Sequence, residues 1–89
     1  MKVDANGVRI NVALSGSTSG PVVLLSHSLA TSLDLWSPQL SALEPQFRVL
    51  RYDTRGHGAS DAPQGAYTLA QLAEDAVAIM DVLDIDAAT

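Results

Sequence analysis

The strongest constraint on the fold is a change of hydrophobic period in the first half of the chain. Val22-Val23-Leu24-Leu25 is apolar at every position, as suits a short strand inside a sheet covered on both faces. Trp36, Leu40 and Leu43 then fall at i, i+4 and i+7, one apolar stripe over two helical turns. Pro38 fits the first turn of that helix, where its missing N–H has no helical partner to lose. Phe47-Arg48-Val49-Leu50-Arg51-Tyr52 is again strand-like, rich in aromatic and β-branched side chains. Strand, helix, strand in this order requires parallel strands and a right-handed crossover, so the chain is of the α/β class.

The flanks extend the pattern. Val8, Ile10, Val12 and Leu14 alternate with Arg9, Asn11 and Ala13, which reads as a half-buried strand. Asn6-Gly7 before it is a hairpin signal, so Met1 to Ala5 is expected as a short antiparallel edge strand. Ser15 to Pro21 reads as a turn, and Asp53 to Ala66, with three glycines and a proline, as irregular. Thr68 followed by Gln71 is a capping box that opens a helix running to about Asp84. Its expected buried face is Leu69, Leu72, Ala73, Ala76, Met80 and Leu83, with Gln71, Glu74, Asp75 and Asp81 toward water. No glycine stops this helix, so Asp84 or Asp86 would have to take the turn. The order is an antiparallel strand pair followed by β-α-β-α. Two parallel strands cannot match the long apolar face of the last helix, which points to residues 1–89 being part of one larger domain.

Composition narrows the functions. A chain of 89 residues holds one thin core, burying about 60% of the surface its unfolded form exposes. Without cysteine, thiol catalysis, disulfides and Cys-ligated zinc are excluded. Ten acidic residues against five basic ones give a net charge of −5, which weighs against nucleic acid or anionic lipid as partners. Glu74, Asp75, Asp81, Asp84 and Asp86 read as a solvated helix face rather than a metal cluster. No apolar run approaches the roughly 20 residues of a membrane span. No basic n-region precedes a long apolar stretch either, so a cytoplasmic location is expected.

Two loops could carry chemistry. Ser26-His27-Ser28-Leu29-Ala30 follows a buried strand, and in open α/β sheets ligands bind outside the carboxyl ends of the strands. Small residues at Ser28 and Ala30 let backbone approach a ligand, and the N–H groups around Leu29 could face a developing oxyanion. The same residues also suit a tight turn in which His27 and Ser28 bond to neighbouring backbone. The second loop, Asp53-Thr54-Arg55-Gly56-His57-Gly58-Ala59-Ser60, reads as scaffold: Asp53, Arg55 and Ser60 can bond the loop's own backbone or one another. Neither a dinucleotide fingerprint nor a P-loop is present. The two histidines, His27 and His57, have no Glu or Cys at metal-ligand spacing. A triad of Ser28, His57 and Asp53 is rejected, since no strand-turn-helix elbow presents Ser28. Trp36 is expected to pack at the start of its helix, with its indole rim at a pocket mouth.

Taken together, Val22 to Ala30, Trp36 with Pro38, Leu40 and Leu43, the run Arg51-Tyr52-Asp53-Thr54-Arg55-Gly56-His57-Gly58-Ala59-Ser60, and Tyr67-Thr68 resemble the N-terminal part of an α/β-hydrolase. The closest resemblance is to the 3-oxoadipate enol-lactonases of aromatic-compound catabolism. It implies a mostly parallel eight-stranded sheet and cofactor-free, metal-free hydrolysis of a small ester or lactone. It also implies a nucleophilic serine on a Gly-x-Ser-x-Gly elbow, followed by an aspartate and a histidine. In this sequence it assigns the backbone N–H of Leu29 to the oxyanion hole and His27, Ser28 and Ala30 to the active-site loop. Asp53, Arg55, Gly56, Gly58 and Ser60 match the family's structural loop. Gly-x-Ser-x-Gly occurs nowhere in the 89 residues, and Ala30 stands where many members carry glycine. The expectation is therefore an N-terminal portion ending before the elbow strand, completed by a second, C-terminal chain that carries the triad. Other chemistries of the fold (dehalogenation, epoxide opening, cofactor-free oxidation) and a non-catalytic, truncated interaction module are the alternatives.

Overall fold

The computed structural model describes residues 1–28 and 31–89. Strands β1 (Lys2–Ala5), β2 (Val8–Gly16), β3 (Val22–Leu25) and β4 (Arg48–Tyr52) form one mixed sheet in the order β1-β2-β4-β3. Asn6 and Gly7 both take positive φ, +51° and +82°, as a two-residue hairpin requires, and this sets Ala5 opposite Val8. β2 then runs antiparallel to β4 with Val12 opposite Tyr52, and β3 runs parallel to β4 with Leu24 beside Leu50. β2 is two residues longer than its alternation indicated, because Ser15 and Gly16 still pair with Val49 and Arg48.

The core lies between the sheet and helix α2 (Leu69–Val82). Ile10, Val12 and Leu50 are buried against Ile79, with Tyr52 at the margin. The other face of β4, where Val49 is fully buried, is covered by the segment that crosses over from β3. That segment is not the continuous α-helix the Trp36, Leu40, Leu43 spacing predicts. Leu33–Gln39 winds as a 3-10 helix, and only Leu40–Leu43 (α1) is α-helical. Pro38 lies inside the 3-10 part, where it lacks an N–H to donate and disfavours α geometry at Ser37.

Helix α2 begins and ends as its sequence indicates, but its buried stripe is rotated. Thr68 Oγ1 accepts the N–H of Gln71 at 3.0 Å. Only this half of the capping box forms, since Gln71 Oε1 is buried without a partner. Asp84 takes φ +58° past the last turn. The N–H of Ile85 reaches the carbonyl of Met80 at 2.8 Å and that of Asp84 reaches Asp81 at 3.1 Å, a Schellman motif whose Ile85 packs into the core. Asp75, expected toward water, is buried on the same stripe as Ile79, while Leu69 is 86% exposed and Ala73 is exposed. A partner for the Asp75 carboxylate, described below, makes this rotation possible. Among the described residues no helix is long and apolar enough to cross a membrane.

β3 lies at the margin of this sheet, not inside it, and all four of its residues are half-buried. Its outer edge already has one neighbour. The N–H of Thr89 donates to the carbonyl of Val22 and the N–H of Leu24 donates to the carbonyl of Thr89, both at 2.9 Å, the pattern of a parallel bridge.

Ile79, in the middle of α2, is fully buried in the cluster that also holds Ile10, Val12 and Leu50, so truncation leaves a cavity that no single neighbour can fill. Ile79→Ala is expected to lower stability by about 2–5 kcal/mol, read as a shift in the urea midpoint at unchanged slope.

Candidate active-site cleft

Both candidate loops leave the carboxyl ends of parallel strands, so β3 and β4 deliver them to the same end of the sheet. Between them opens a cleft of about 310 Å³. Ser26, His27 and Ser28 line it from the first loop, Tyr52, Thr54 and His57 from β4 and the second loop, and Leu69 and Leu72 from α2. Leu29, which carries the oxyanion assignment, and Ala30, assigned to the active-site loop, lie outside the described residues. Trp36 is not among the lining residues. Its indole N–H donates to the carbonyl of Ser26 at 3.1 Å, and the hydroxyl of Tyr52 lies 3.3 Å from Ser26 Oγ, so the root of the first loop is held on two sides.

The second loop is organised by Asp53, whose side chain is buried at the end of β4. Its carboxylate accepts the N–H of Leu33 at 2.8 Å, the N–H of Ala59 at 2.9 Å and the side-chain amide of Asn11 at 3.0 Å. Burial alone would raise its pKa. The amides of Leu33 and Ala59, the Asn11 donor and nearby His27 together outweigh that and hold the carboxyl below its ordinary value. Ser60 Oγ donates to the carbonyl of Asp53 at 2.6 Å and accepts the N–H of Asn11 at 2.8 Å, fastening the loop's far end to β2. A Cβ at Gly58, where φ is +50°, would land on the Asp53 carboxylate. One at Gly56 would come within 2.7 Å of the Tyr67 ring. Both positions need glycine for this packing.

Arg55 does not pair with Asp53 as the loop's own sequence allowed. It reaches across to α2, where Nε lies 2.6 Å from Asp75 Oδ2 and an Nη 2.7 Å from Oδ1, a bidentate pair buried on both sides. The hydrogen bond to Asp75 raises the Arg55 pKa against the opposing effect of burial. Asn6 completes the cluster by donating to Asp75 Oδ1 at 2.8 Å, which ties the β1–β2 hairpin to the same site. Arg55 also lies 5.9 Å from the centre of the Tyr67 ring.

The two histidines meet with ring centroids 5.1 Å apart, inclined at 56°. Neither is joined to Asp53 by a hydrogen bond. His57 Nδ1 lies 3.2 Å from the carbonyl of Arg55, and His27 Nε2 accepts the N–H of Thr54 at 2.9 Å. The arrangement is therefore not a serine-histidine-aspartate relay, in keeping with the rejection of that triad. Among the described residues no three His, Asp or Glu side chains gather where they could hold a metal ion. Tyr52, Thr54, Leu69 and Leu72 had no assigned site role in the sequence, although the alternation that puts Tyr52 with Leu50 was available.

A family model described as the alpha/beta hydrolase fold matches residues 21–89. The chain belongs to the α/β-hydrolase family. It is 41% identical over 85 residues to 3-oxoadipate enol-lactonase 2 of Acinetobacter baylyi, an alignment covering 96% of this chain and 32% of that protein. The crystal structure of the enol-lactonase from Burkholderia xenovorans LB400 superposes with a TM-score of 0.98 at 45% identity, over all of this chain and 35% of that one. The epoxide hydrolase VrEH1 of Vigna radiata superposes at 0.90 with 34% identity, over 99% of this chain and 29% of that one. The chain thus spans about a third of the length of the relatives it matches.

Two predictions follow the buried charges. Asp75→Ala strands the Arg55 guanidinium in the interior and is expected to cost about 3–5 kcal/mol in urea denaturation, whereas Arg55→Met combined with Asp75→Leu recovers most of that loss. For Asp53, the folded pKa lies below the unfolded value of 3.8, so the unfolded state binds more protons between the two. Its contribution is present above pH 3.8 and lost as pH falls through the folded value. Asp53→Asn is expected to flatten that acid limb of the stability profile, measured by denaturation at a series of pH values below 5.

Proposed function

We propose that residues 1–89 form the N-terminal portion of a single α/β-hydrolase domain, ending before the nucleophile-elbow strand, and that the whole enzyme is a cytoplasmic serine hydrolase. Its substrate is a small carboxylic ester or a lactone of the 3-oxoadipate enol-lactone type. The observation that carries this reading is the placement of the Ser26–Ser28 segment at the carboxyl end of β3, lining a cleft, in a chain 41–45% identical to enol-lactonases.

In this reading the chain supplies the oxyanion loop. The backbone N–H of Leu29 donates to the negative oxygen of the tetrahedral intermediate, His27, Ser28 and Ala30 shape the loop, and Asp53, Arg55, Gly56, Gly58 and Ser60 brace it from below. Trp36 supports the loop's root. A C-terminal portion of the same hydrolase supplies a serine, an aspartate and a histidine. The serine oxygen adds to the carbonyl carbon as the histidine takes its proton, and collapse of the intermediate breaks the carbonyl–oxygen bond. The histidine returns the proton to the departing oxygen, and water then releases the acyl group.

The likeness to an epoxide hydrolase supports a second reading on the same fold. The elbow residue separates the two, since serine fits the lactonase and aspartate fits epoxide opening or dehalogenation. The test assembles residues 1–89 with the C-terminal portion encoded after them and assays a panel of enol-lactones and short aryl esters. Hydrolysis is expected from the assembled protein and not from residues 1–89 alone. Leu29→Pro, which removes the donor N–H, is expected to lower kcat by about 10²- to 10³-fold at little-changed KM. An assembled protein inert toward the whole panel overturns the proposal.

A further inference from the structure

The tip of the β1–β2 hairpin sets a carboxamide beside an uncommitted amide nitrogen. Asn6 and Gly7 are both exposed. Among the described residues the N–H of Gly7 donates to no partner, and a Cβ at Gly7 would meet nothing within 4 Å, so this nitrogen has room to swing onto the side chain before it. The Arg55 guanidinium lies 3.5 Å from the carbonyl oxygen of Asn6, which belongs to the same peptide unit as the Gly7 nitrogen. A cation there stabilises the charge that collects on that oxygen when the N–H loses its proton. The chain's other asparagine is different. Asn11 lies inside β2 and precedes β-branched Val12, whose N–H is committed to the carbonyl of Met1 at 2.7 Å.

We propose that Asn6 is a site of spontaneous deamidation whose product breaks up the Arg55–Asp75 cluster. Hydroxide takes the Gly7 amide proton and the nitrogen bonds to Asn6 Cγ. The Cγ–Nδ2 bond then breaks as Nδ2 takes a proton from water and leaves as ammonia. Water opens the cyclic imide. Addition at Cγ leaves an aspartate in the original backbone, and addition at the main-chain carbonyl leaves an isoaspartate whose backbone is one carbon longer. Either way a neutral donor becomes a carboxylate. Asn6 Nδ2 donates to Asp75 Oδ1 at 2.8 Å, so the new charge faces the Asp75 carboxylate, with Glu74 and Asp81 of α2 lining the same groove. Against these acids stands Arg55 of the second loop, already paired with Asp75, while the hairpin's own Arg9 pairs with Asp4. Like charges this close destabilise the folded state, and the longer backbone no longer fits the two-residue turn that sets Ala5 opposite Val8. This modification goes beyond the proposed hydrolysis and does not depend on it.

The full-length wild-type protein, incubated at mildly alkaline pH and digested to peptides, is expected to show aspartyl and isoaspartyl forms at position 6 by mass spectrometry, with Asn11 intact. Asn6→Asp makes the aspartyl form directly and is expected to lower the urea midpoint at unchanged slope. That loss is expected to shrink in mild acid. A carboxyl crowded by Asp75 takes up its proton at higher pH in the folded state than in the unfolded one, so the folded state binds more protons and regains stability as pH falls. Asn6→Gly keeps the positive φ and removes the same hydrogen bond without adding charge, so its loss is expected to be smaller and to lack this pH dependence. An Asn6 that stays intact, or converts no faster than Asn11, overturns the site. An Asn6→Asp variant no less stable than Asn6→Gly at neutral pH overturns the effect on the cluster.

Discussion

The Asp53 carboxylate is the constraint on which the cleft depends. It sits at the first residue of the second loop, directly after β4, and accepts from three places far apart in sequence: Asn11 on β2, Leu33 at the start of the 3-10 helix, and Ala59 across the loop. Hydrogen bonds to an ionised group contribute roughly 1.5–3 kcal/mol each. Three of them on one buried carboxylate are enough to dictate where the surrounding backbone goes. The absence of a side chain at Gly58 follows directly, because the space a Cβ would take is occupied by that carboxylate. Thr54, the next residue, then presents its N–H to His27, so the position of Asp53 reaches the first loop through a single further bond.

The Arg55–Asp75 pair does something different. A buried ion pair adds little net stability over a well-packed apolar pair, but it penalises any arrangement that separates its members. Here the members come from the second loop and the middle of α2, and Asn6 of the hairpin bonds the same carboxylate. The pair therefore fixes which side of α2 faces the sheet. With Asp75 turned inward, Ile79 four residues on enters the core and Leu69 is left outside at the cleft mouth. The rotation that places an apolar residue beside the cleft thus follows from a charge pair whose own members do not line it.

This is also where the sequence was legible and where it was not. Features decided by neighbours in the chain could be read: the Asn6-Gly7 hairpin, the Thr68 cap and the turn at Asp84 each follow from one or two residues. The strands themselves and both loops were readable because strands carry period and composition in themselves, whereas the pairing of β2 with β4 and the marginal place of β3 depend on partners far along the chain. The helix face was not, because an aspartate is polar by type, and only its arginine, 20 residues upstream, makes it an interior residue. The 3-10 winding of Leu33–Gln39 escaped because spacing at i, i+4, i+7 marks a stripe without stating the pitch, whereas Pro38 does affect the pitch.

The surfaces left open are not equivalent to ordinary exposure. Leu69, Ala73 and Val77 recur every four residues along one side of α2 and are exposed. β3 is half-buried at all four positions although every one is apolar. An edge strand facing water is normally blunted by charge, proline or a bulge, and between Val22 and Leu25 there is none. What meets that edge is Thr89, already in parallel register with Val22 and Leu24. A strand continuing in that register would run beside β3 toward its carboxyl end, the end at which the Ser26–Ser28 segment lines the cleft. Neighbouring parallel strands about 4.8 Å apart deliver their following loops to one place, so a loop after such a strand would lie beside the Ser26–Ser28 segment.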